Sequence, residues 1–309
     1  MPKRQSSPGK GILVFVAGLL LAALLAMHTL IPTTRGVALI VESLLPWAWI
    51  LLVLLLLAAL IRFSVFAIIG VLVPALVWGG MFYPFLRPAD TPDDADIVVA
   101  SQNVGARMPQ PTATAQNLIN HDPDVVAIQE IASLSGQIIK KQLDSAYEHT
   151  AVTDTVGIWS RWPLSSPEEI DLGLQWPRAI ATTMQTDDGP VRVYAVHMPS
   201  VRPGQESLRN SALSELADRI RADDAERIIV AGDFNSAASD RYFSSLSSEL
   251  TDSREAVGGG FGFTWPSVFP VVRLDHVLVR GFDPVGDRVL DRGTSDHRAI
   301  ISYLDTAAA

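Results

Sequence analysis

The hydrophobic positions divide the chain into an apolar N-terminal part and a body of short alternating runs. Three apolar stretches, at about residues 11–31, 44–61 and 64–85, contain no Asp, Glu, Lys or Arg. Each is close to the ~20 residues that a helix needs to cross the hydrocarbon core of a bilayer. The pattern therefore predicts three transmembrane helices, then a linker over residues 87–96 and a separate domain over residues 97–309.

The body alternates short apolar β-branched runs with segments of helical periodicity. Strands are predicted at about 97–101, 124–129, 156–160, 178–186, 191–198, 227–232, 274–280 and 299–304. Helices are predicted around 115–119, 133–143, 204–221 and 239–250. The Asp187-Asp188-Gly189 turn predicts a hairpin. Helices and hairpins mixed in this way indicate an α+β fold, in which helices cover stacked sheets, rather than a doubly wound parallel sheet.

Composition and charge separate the same two parts. The chain is 48% hydrophobic and 18% charged, with a mean hydropathy of +0.25, which excludes a disordered protein. Residues 1–86 carry five Lys/Arg and one acid, a net charge of +4, whereas the remaining 223 residues carry 19 bases and 32 acids, or −13. The body is long enough to bury one sizeable core. The absence of cysteine is consistent with an exported domain without disulfides.

The basic residues that flank the three stretches predict the orientation. Lys3, Arg4, Lys10 and Arg62 would lie on one side of the membrane, with Arg35 and Arg87 on the other. The side with more basic residues, which includes the N-terminus, is predicted to be cytoplasmic. The chain would then be a multi-pass protein of the cell membrane, with the body outside the cytoplasm. A cleaved signal peptide is the alternative for the first stretch, but the apolar run exceeds ~7–15 residues and no A-x-A site follows it.

Two ionisable side chains lie in or near these stretches. His28 belongs to the first stretch, and Glu42 would lie at the membrane interface if the second stretch begins nearer Val37. An intramembrane ionisable residue is a candidate functional group. For one neutral histidine near a helix end, packing is the more frequent role.

Polar side chains gather where the predicted strands begin or end. They are Asn103, Gln129, Glu130, His197, Asp233, Asn235, Asp275, His276, Ser295, Asp296 and His297. Strand ends of a layered scaffold meet at one rim, so these groups are expected to line a single pocket. Their oxygen atoms suit Mg²⁺ or Mn²⁺, whereas zinc is not indicated because the chain has no thiol and its histidines are dispersed. Such an ion with carboxylates and imidazoles suits activation of water and charge stabilisation at a phosphoryl group.

The order of the motifs resembles the endonuclease/exonuclease/phosphatase superfamily. Q-E at 129–130, G-D-F-N at 232–235, R-L-D-H at 273–276 and S-D-H-R at 295–298 follow one another along the chain. That superfamily includes deoxyribonuclease I, abasic-site endonucleases, neutral sphingomyelinases and inositol-polyphosphate 5-phosphatases. The resemblance extends from about Ile97 to Tyr303. It implies a four-layer α/β/β/α sandwich and a metal-dependent hydrolase of phosphate ester or phosphoanhydride bonds.

The resemblance also implies a metal site. Asn103 and Glu130 match the positions that help to hold the ion, and Asp296 matches an acid that lies near it. Some nucleases of the group carry a second acid two residues after the asparagine, where this chain has Gly105. The site is therefore expected to use fewer acids, with water in the remaining positions.

The catalytic roles follow by position in the same way. Asp233 matches the residue that orients or deprotonates the attacking water, and Asn235 matches a contact to the phosphoryl group. His297 matches a contact to the scissile phosphate, with Asp275 as the residue that orients its ring. His197 matches a position whose histidine would protonate the leaving oxygen. A carboxylate–imidazole pair of Asp275 and His297 would also keep the ring protonated.

The substrate class is predicted from the net charge of the body and from the three predicted transmembrane helices, which we call the anchor. A nuclease of duplex DNA needs basic surface, so a body of −13 makes nucleic acid the less favoured partner. A short linker holds the pocket near a lipid bilayer and its phosphate esters. Three spans before an outward-facing body are similar to the teicoplanin-resistance membrane protein family of actinobacteria, which implies a lipid-linked phosphate or pyrophosphate.

Three alternatives stay open at this point. An anchored extracytoplasmic nuclease is the main competing function, and a catalytically silent receptor or scaffold is the third. Arg178 is a candidate phosphate contact, with a solvated arginine at a strand end as the alternative. The oligomeric state is not indicated.

Overall fold

The chain divides into two compact units, of which the first ends at Pro84 and the second begins at Phe85. The computed structural model describes residues 11–89, 92, 94–105, 108–201 and 206–307. The basic residues Lys3, Arg4 and Lys10, on which the predicted orientation depends, lie outside the described residues.

The first unit is built from apolar helices. They are α1 (Ile12–Ala26), α2 (Val37–Leu44), α3 (Trp49–Arg62) and α4 (Val65–Leu86). Short 3-10 turns make residues 34–62 one helical run of 29 residues, and α4 has 22; both are long and apolar enough to cross a membrane by length and composition.

Helix α1 is shorter than the first predicted stretch. It has 15 residues and ends at Ala26, whereas the apolar stretch continues to residue 31. Ile31 is extended (φ −65°, ψ 130°), the conformation favoured by the proline that follows it. Two of the three predicted stretches therefore form helices of spanning length.

Glycines allow two helices of this unit to pack backbone to backbone. A Cβ atom on Gly18 of α1 would lie 1.7 Å from the carbonyl oxygen of Gly70 in α4, and a Cβ on Gly70 would lie 2.6 Å from Cα of Phe15. Small residues at such crossings are typical of helix association in membranes. The one buried acid described in this unit, Glu42, lies 3.3 Å (Oε1) from Nδ1 of His28. His28 therefore packs against another polar side chain.

The second unit contains two six-stranded sheets within its described residues. In chain order the strands are β1 (Ile97–Asn103), β2 (Val125–Gln129), β3 (His149–Val152), β4 (Val156–Ser160), β5 (Leu164–Ile170), β6 (Ala179–Thr186), β7 (Gly189–His197), β8 (Ile228–Asp233), β9 (Thr251–Asp252), β10 (Asp275–Arg280), β11 (Phe282–Val289) and β12 (Ile300–Thr306). One sheet has the order β11-β12-β1-β2-β4-β3 and the other β5-β6-β7-β8-β10-β9. The helices are α5 (Pro111–Asn120), α6 (Leu134–Ala146), α7 (Glu206–Ala222), α8 (Ser244–Ser247) and α9 (Ser253–Val257).

Apolar side chains fill the space between the sheets and the space between each sheet and its helices. Helices α5 and α6 cover the first sheet, and α7 with α8 covers the second. In β7, Val193 and Ala195 face the other sheet, whereas Tyr194 and Val196 face α7, because successive side chains of a strand alternate between faces. Central strands are thus covered on both sides and are apolar at nearly every position. This is the α+β sandwich that the sequence predicts.

The predicted elements differ from the structure mainly at the sheet edges. All eight predicted strands are present and are the inner strands, whereas β3, β5, β9 and β11 were not predicted and form the four edges. Edge strands are half exposed and carry polar residues and proline, as in LSSPEEI and FDPVGDRV, so they lack the apolar run of an inner strand.

The helix predicted at 239–250 is reduced to the single turn α8. Serine hydroxyls in this segment donate to backbone carbonyls three residues earlier, as Ser245 does to Tyr242 (2.7 Å) and Ser248 to Ser245 (2.9 Å). These bonds compete with a continued helix.

Candidate active site

The strand registers bring the predicted polar side chains to one end of the sandwich. In the first sheet, Asn103 at the end of β1 pairs with Gln129 at the end of β2. In the second sheet, Asp233 at the end of β8 pairs with both His197 of β7 and Asp275 of β10. We call this end of the second unit the mouth. These registers place predicted residues of both sheets at the same end of the sandwich.

Asn103 and Asp233 link the two sheets. Nδ2 of Asn103 donates to Oδ2 of Asp233 at 2.9 Å and to Oε1 of Glu130 at 3.2 Å. The backbone N–H of Asn235 donates to Oδ1 of Asp233 at 2.8 Å, and its side-chain amide donates to Oδ2 at 3.1 Å. Burial raises the pKa of Asp233, and the nearby charge of Asp275 adds to the rise, against the opposing charge of His297. The Asp233 carboxylate therefore binds a proton more readily than an exposed aspartate.

His297 is held as an imidazolium. Its Nδ1 lies 2.9 Å from Oδ2 of the fully buried Asp275, and its Nε2 lies 3.8 Å from Oδ2 of Asp233. Burial alone would lower the pKa of His297, but the carboxylates of Asp275, Asp233 and Asp296 outweigh it and raise the pKa to about 10. A positive charge is thus fixed at the mouth near neutral pH.

His197 is the opposite case, a neutral imidazole. Burial lowers its pKa well below the ordinary value, and the positive charges of Arg178 and His297 lower it further. Nη2 of Arg178 lies 2.7 Å from Nδ1 and 2.8 Å from Nε2 of the ring. Nε2 lies 3.8 Å from both Oε1 of Glu130 and Oδ2 of Asp233. Arg178 is therefore half-buried against the site rather than solvated at a strand end.

The structure explains the glycine at position 105. Gly105 has φ +66°, a backbone conformation that L side chains rarely adopt, and a Cβ atom there would lie 2.7 Å from Oδ1 of Asp296. The Asp296 carboxylate occupies the space that a side chain at 105 would take. A side chain at 105 would therefore require the Asp296 carboxylate to shift and a strained backbone conformation to be kept.

The comparison with known proteins assigns this fold. Residues 100–297 match the model of the Endonuclease/Exonuclease/phosphatase family. The chain belongs to this family. Its members are metal-dependent hydrolases that act on phosphodiester bonds, so the predicted enzyme class is confirmed. No curated protein matches the chain.

Solved structures of the family share the fold of the second unit. D. rerio TDP2 complexed with single strand DNA product is 21% identical with a TM-score of 0.57, covering 69% of this chain and 100% of its own. Sphingomyelinase C from Streptomyces griseocarneus is 15% identical with a TM-score of 0.52, covering 67% and 98%. Beta toxin 275-280 from Staphylococcus aureus is 14% identical with a TM-score of 0.52, covering 67% and 99%. At these identities the likeness shows the fold alone.

Family enzymes use divalent metals such as Mg²⁺ or Mn²⁺, and the donors at the mouth fit such an ion. Asn103, Glu130 and Asp296 offer oxygen atoms, the ligands that hard cations prefer. The Glu130 side chain is 32% exposed, so an ion can reach its carboxylate from solvent. Behind it, Oδ1 of Asp275 is buried and has no hydrogen-bond partner among the described residues, and ligand atoms of Asp233, Asp275 and His297 lie within 4.8 Å of one another.

Two site residues adopt a backbone conformation for which the sequence carries no signal. Glu130 has φ +65° and Asn235 has φ +48°, in the left-handed region that a residue with a side chain enters at a cost of about 1–3 kcal/mol. The surrounding hydrogen bonds hold them there, including the one from Asn235 Nδ2 to the Met198 carbonyl oxygen at 3.0 Å. Strain of this kind clusters at active sites and ligand-binding sites of proteins in general.

Ser295 has a part in the site that the motif alone does not indicate. Its hydroxyl donates to the carbonyl oxygen of Asn103 at 2.7 Å and accepts from the backbone N–H of His297 at 3.1 Å. It therefore joins the S-D-H motif to the end of β1.

His276 does not reach the mouth. It follows Asp275 in β10, so its side chain lies on the other face of the sheet. There its Nδ1 lies 2.9 Å from Oδ2 of Asp252 and its Nε2 lies 2.9 Å from the Ser236 carbonyl oxygen. Sequence alone grouped it with the other strand-end polar residues, because alternation of faces shows only in the register.

Proposed function

We propose that this protein is a membrane-anchored, divalent-metal-dependent phosphohydrolase or phosphodiesterase that acts on a lipid-linked phosphate or pyrophosphate outside the cytoplasm. The observation that supports it most directly is the pairing of an imidazolium, His297, with a neutral imidazole, His197, around one buried carboxylate, Asp233. A fixed positive charge beside a basic carboxylate suits attack of water on an anionic phosphorus centre.

Asp233 orients the attacking water and accepts its proton. Its raised pKa supports this role, because a general base works best when its pKa lies near the working pH. Asn235 lies beside it, with its amide donating to Asp233 and to the Met198 carbonyl oxygen, and contacts a phosphoryl oxygen by exchanging one of these bonds when substrate is bound. His297 donates Nε2–H to the phosphoryl group, and Asp275 keeps its ring charged and oriented.

His197 protonates the leaving oxygen only once substrate is bound. The ring is neutral in the free protein, and the negative charge of a bound phosphate favours uptake of a proton from solvent. As the P–O bond breaks, that proton passes to the departing oxygen. Arg178 lies against both ring nitrogens in the free protein and keeps the ring in place.

Asn103, Glu130 and Asp296 would hold the metal. When bound, the ion would act as a Lewis acid on the phosphoryl oxygens. The arrangement relies on two carboxylates and one amide, because Gly105 contributes no side chain.

The membrane location rests on the apolar helices of the first unit. Residues 34–62 and α4 have spanning length, and we propose that α1 completes three spans, with the N-terminus in the cytoplasm. A periplasmic-type or extracellular reporter fused after Ala309 should be active, and the matching cytoplasmic reporter silent. The reverse pattern would refute the outward placement.

The substrate proposal rests on the −13 charge of the body and on the short linker to an apolar anchor. From the same arrangement we also propose a relation to the teicoplanin-resistance membrane protein family. Nuclease activity is the second candidate, since the similar D. rerio TDP2 structure contains a single strand DNA product.

The deciding experiment uses the full chain in lipid nanodiscs with Mg²⁺. Isoprenyl pyrophosphate, sphingomyelin and plasmid DNA are offered separately, and we expect turnover of a lipid phosphate. Asp233→Asn should abolish it, whereas Asp187→Asn, an exposed change at the opposite end, should not. Cleavage of DNA alone would support the nuclease, and no turnover of any ester would support a silent scaffold.

A further inference from the structure

Exposed large apolar side chains of the second unit cluster around the mouth. Three others described in this unit, Leu86, Ile138 and Leu208, lie on helices; the six around the mouth are Leu134, Trp176, Val201, Trp265, Val268 and Phe269. Each lies in or directly beside a connection at the catalytic ends of the strands. Within this set Leu134 is the most exposed (83%), followed by Phe269 (70%), Val268 (66%) and Trp176 (56%). We call residues 264–274, before β10, the aromatic loop.

The opposite end of the sandwich has a different surface. Its connections carry exposed acids and, among the described residues, no exposed large apolar side chain. The acids are Asp122, Asp187, Asp188, Asp224 and Glu226. The two ends therefore differ in apolar exposure. Large apolar side chains are exposed around the mouth, beside acids such as Asp171 and Asp291, whereas the opposite end, which we call the anionic end, exposes acids, of which Asp122 pairs with Arg161.

The aromatic loop is fixed to the catalytic motif. The backbone N–H of Ser267 donates to the Asp296 carbonyl oxygen at 2.7 Å, and its hydroxyl donates to the Ser295 carbonyl oxygen at 2.6 Å. Nε of Arg298 donates to the Ser267 carbonyl oxygen at 2.9 Å. Val268 and Phe269 are thus exposed on a loop whose backbone is anchored, so their exposure is built into the site.

The segment that precedes this loop holds the first residues of the second unit. Backbone N–H groups of Gly259 and Gly260 donate to the carbonyl oxygens of Arg87 (2.8 Å) and Phe85 (2.7 Å). The Arg273 guanidinium lies 5.6 Å from the centre of the Phe85 ring. Phe85 and Arg87 flank Leu86, where α4 ends. The first residues of the second unit are therefore held beside the segment that leads into the aromatic loop.

We propose that the mouth docks on the lipid surface through the aromatic loop and Trp176, and takes its phosphate substrate directly from the membrane. This rests on the proposed function for the substrate, but the docking itself does not require turnover. Trp and Phe are the side chains that favour the membrane–water interface. The anionic end then faces away from the lipid headgroups.

A single-cysteine experiment tests the docking, because the chain contains no cysteine. The full chain carrying Phe269→Cys is labelled with an environment-sensitive dye in nanodiscs of phosphatidylethanolamine and phosphatidylglycerol. Asp187→Cys, on the anionic end, is the matched control. We expect blue-shifted emission and quenching by nitroxide lipids at 269 and neither effect at 187. Equal quenching at both positions, or none at 269, would overturn the proposal. So would a blue shift at 269 without lipid quenching, which would indicate a second copy or another protein.

Kinetics give an independent measurement. In the double variant Val268→Ser/Phe269→Ser, KM for a lipid-embedded substrate should rise about tenfold with kcat unchanged, since only membrane contact is lost. Hydrolysis of the soluble ester bis(p-nitrophenyl) phosphate should stay the same. Ile138→Ser, an exposed apolar position on α6, is the control and should change neither. Parallel losses on both substrates would overturn docking, whereas docking by fluorescence with cleavage of DNA alone would instead refute the proposed substrate.

Discussion

Two buried aspartate–histidine pairs with the same geometry should respond in opposite ways to the same substitution. Oδ2 of Asp275 lies 2.9 Å from Nδ1 of His297 at the mouth, and Oδ2 of Asp252 lies 2.9 Å from Nδ1 of His276 behind it. Asp275→Asn should remove activity and leave the fold intact. Asp252→Asn should weaken the fold.

The magnitudes follow from the surroundings of each carboxylate. Among the carboxylates that raise the pKa of His297 from 6.5 to about 10, Asp275 has the largest effect. At about 1.4 kcal/mol per pKa unit, the whole rise corresponds to roughly 5 kcal/mol in favour of the imidazolium. Losing the largest share of it should lower kcat by about 10²–10³, the usual effect of removing one donor to a developing charge. The folding free energy should change by under about 1 kcal/mol, because the substitution also removes a fully buried charge and His297, unlike an arginine, can lose its proton and leave no unpaired charge.

Asp252 stabilises the fold because Arg273 and His276 both bind it. Burial would raise the pKa of Asp252, but Arg273 and His276 outweigh burial and lower it below the ordinary 3.8. Asp252→Asn leaves the charge of a buried arginine without its partner, which costs about 3–5 kcal/mol. Because the folded-state pKa is depressed, this contribution is present above about pH 4 and is lost as the pH falls further.

The assay combines steady-state turnover with thermal unfolding for both variants, and His297 is titrated by NMR. Asp275→Asn should keep its Tm and show a lower pKa for His297, whereas Asp252→Asn should lose roughly 10 °C. Turnover within tenfold of wild type in Asp275→Asn would refute the positioning role. A large loss of Tm in the same variant would show that Asp275 acts on the fold.

Three further predictions concern the metal and the anchor. Gly105→Ala should weaken Mg²⁺ activation at least tenfold, since its Cβ would lie 2.7 Å from Oδ1 of Asp296; an unchanged Mg²⁺ titration would contradict this. A chelator should abolish turnover, and added Mg²⁺ or Mn²⁺ should restore it. The Glu130→Gln variant should need about 10–100 times more metal for the same turnover. Turnover that resists the chelator would disprove metal dependence. Gly18→Leu should lower the thermal stability of the N-terminal helical unit in detergent, because the contact between Gly18 and the Gly70 backbone leaves no room for a side chain. Turnover of a soluble ester should persist in this variant. An unchanged melting curve would argue against the packing.

The inner strands and the helices with a clear apolar face could be predicted because buried elements show a regular spacing of apolar residues along the sequence. The four edge strands could not, because each has one side free of a neighbouring strand and needs fewer apolar residues. Segment 239–250 shows a second limit. Its apolar spacing favours a helix, but serine hydroxyls bind the backbone and leave one turn.

Most of the candidate site could be predicted from residue types at strand ends. The register then decided which of them meet. Asp275 and His276 are neighbours in sequence, yet the first faces the mouth and the second binds Asp252 on the other side of the sheet. The position of Arg178 also became clear only in the structure, where its guanidinium contacts the His197 ring instead of being solvated at a strand end.

By itself the sequence determined an apolar helical N-terminal part, an α+β body and a set of carboxylates and imidazoles suited to phosphate chemistry, because hydropathy, periodicity and residue type are local properties. The tertiary structure alone decided the charge states of His197 and His297, the need for glycine at 105 and the apolar surface around the mouth. These depend on burial and on distances between residues far apart in the chain, such as the one between His197 and Asp233. A proton is held or released by the groups that surround it in space, and the linear order of residues does not specify those neighbours.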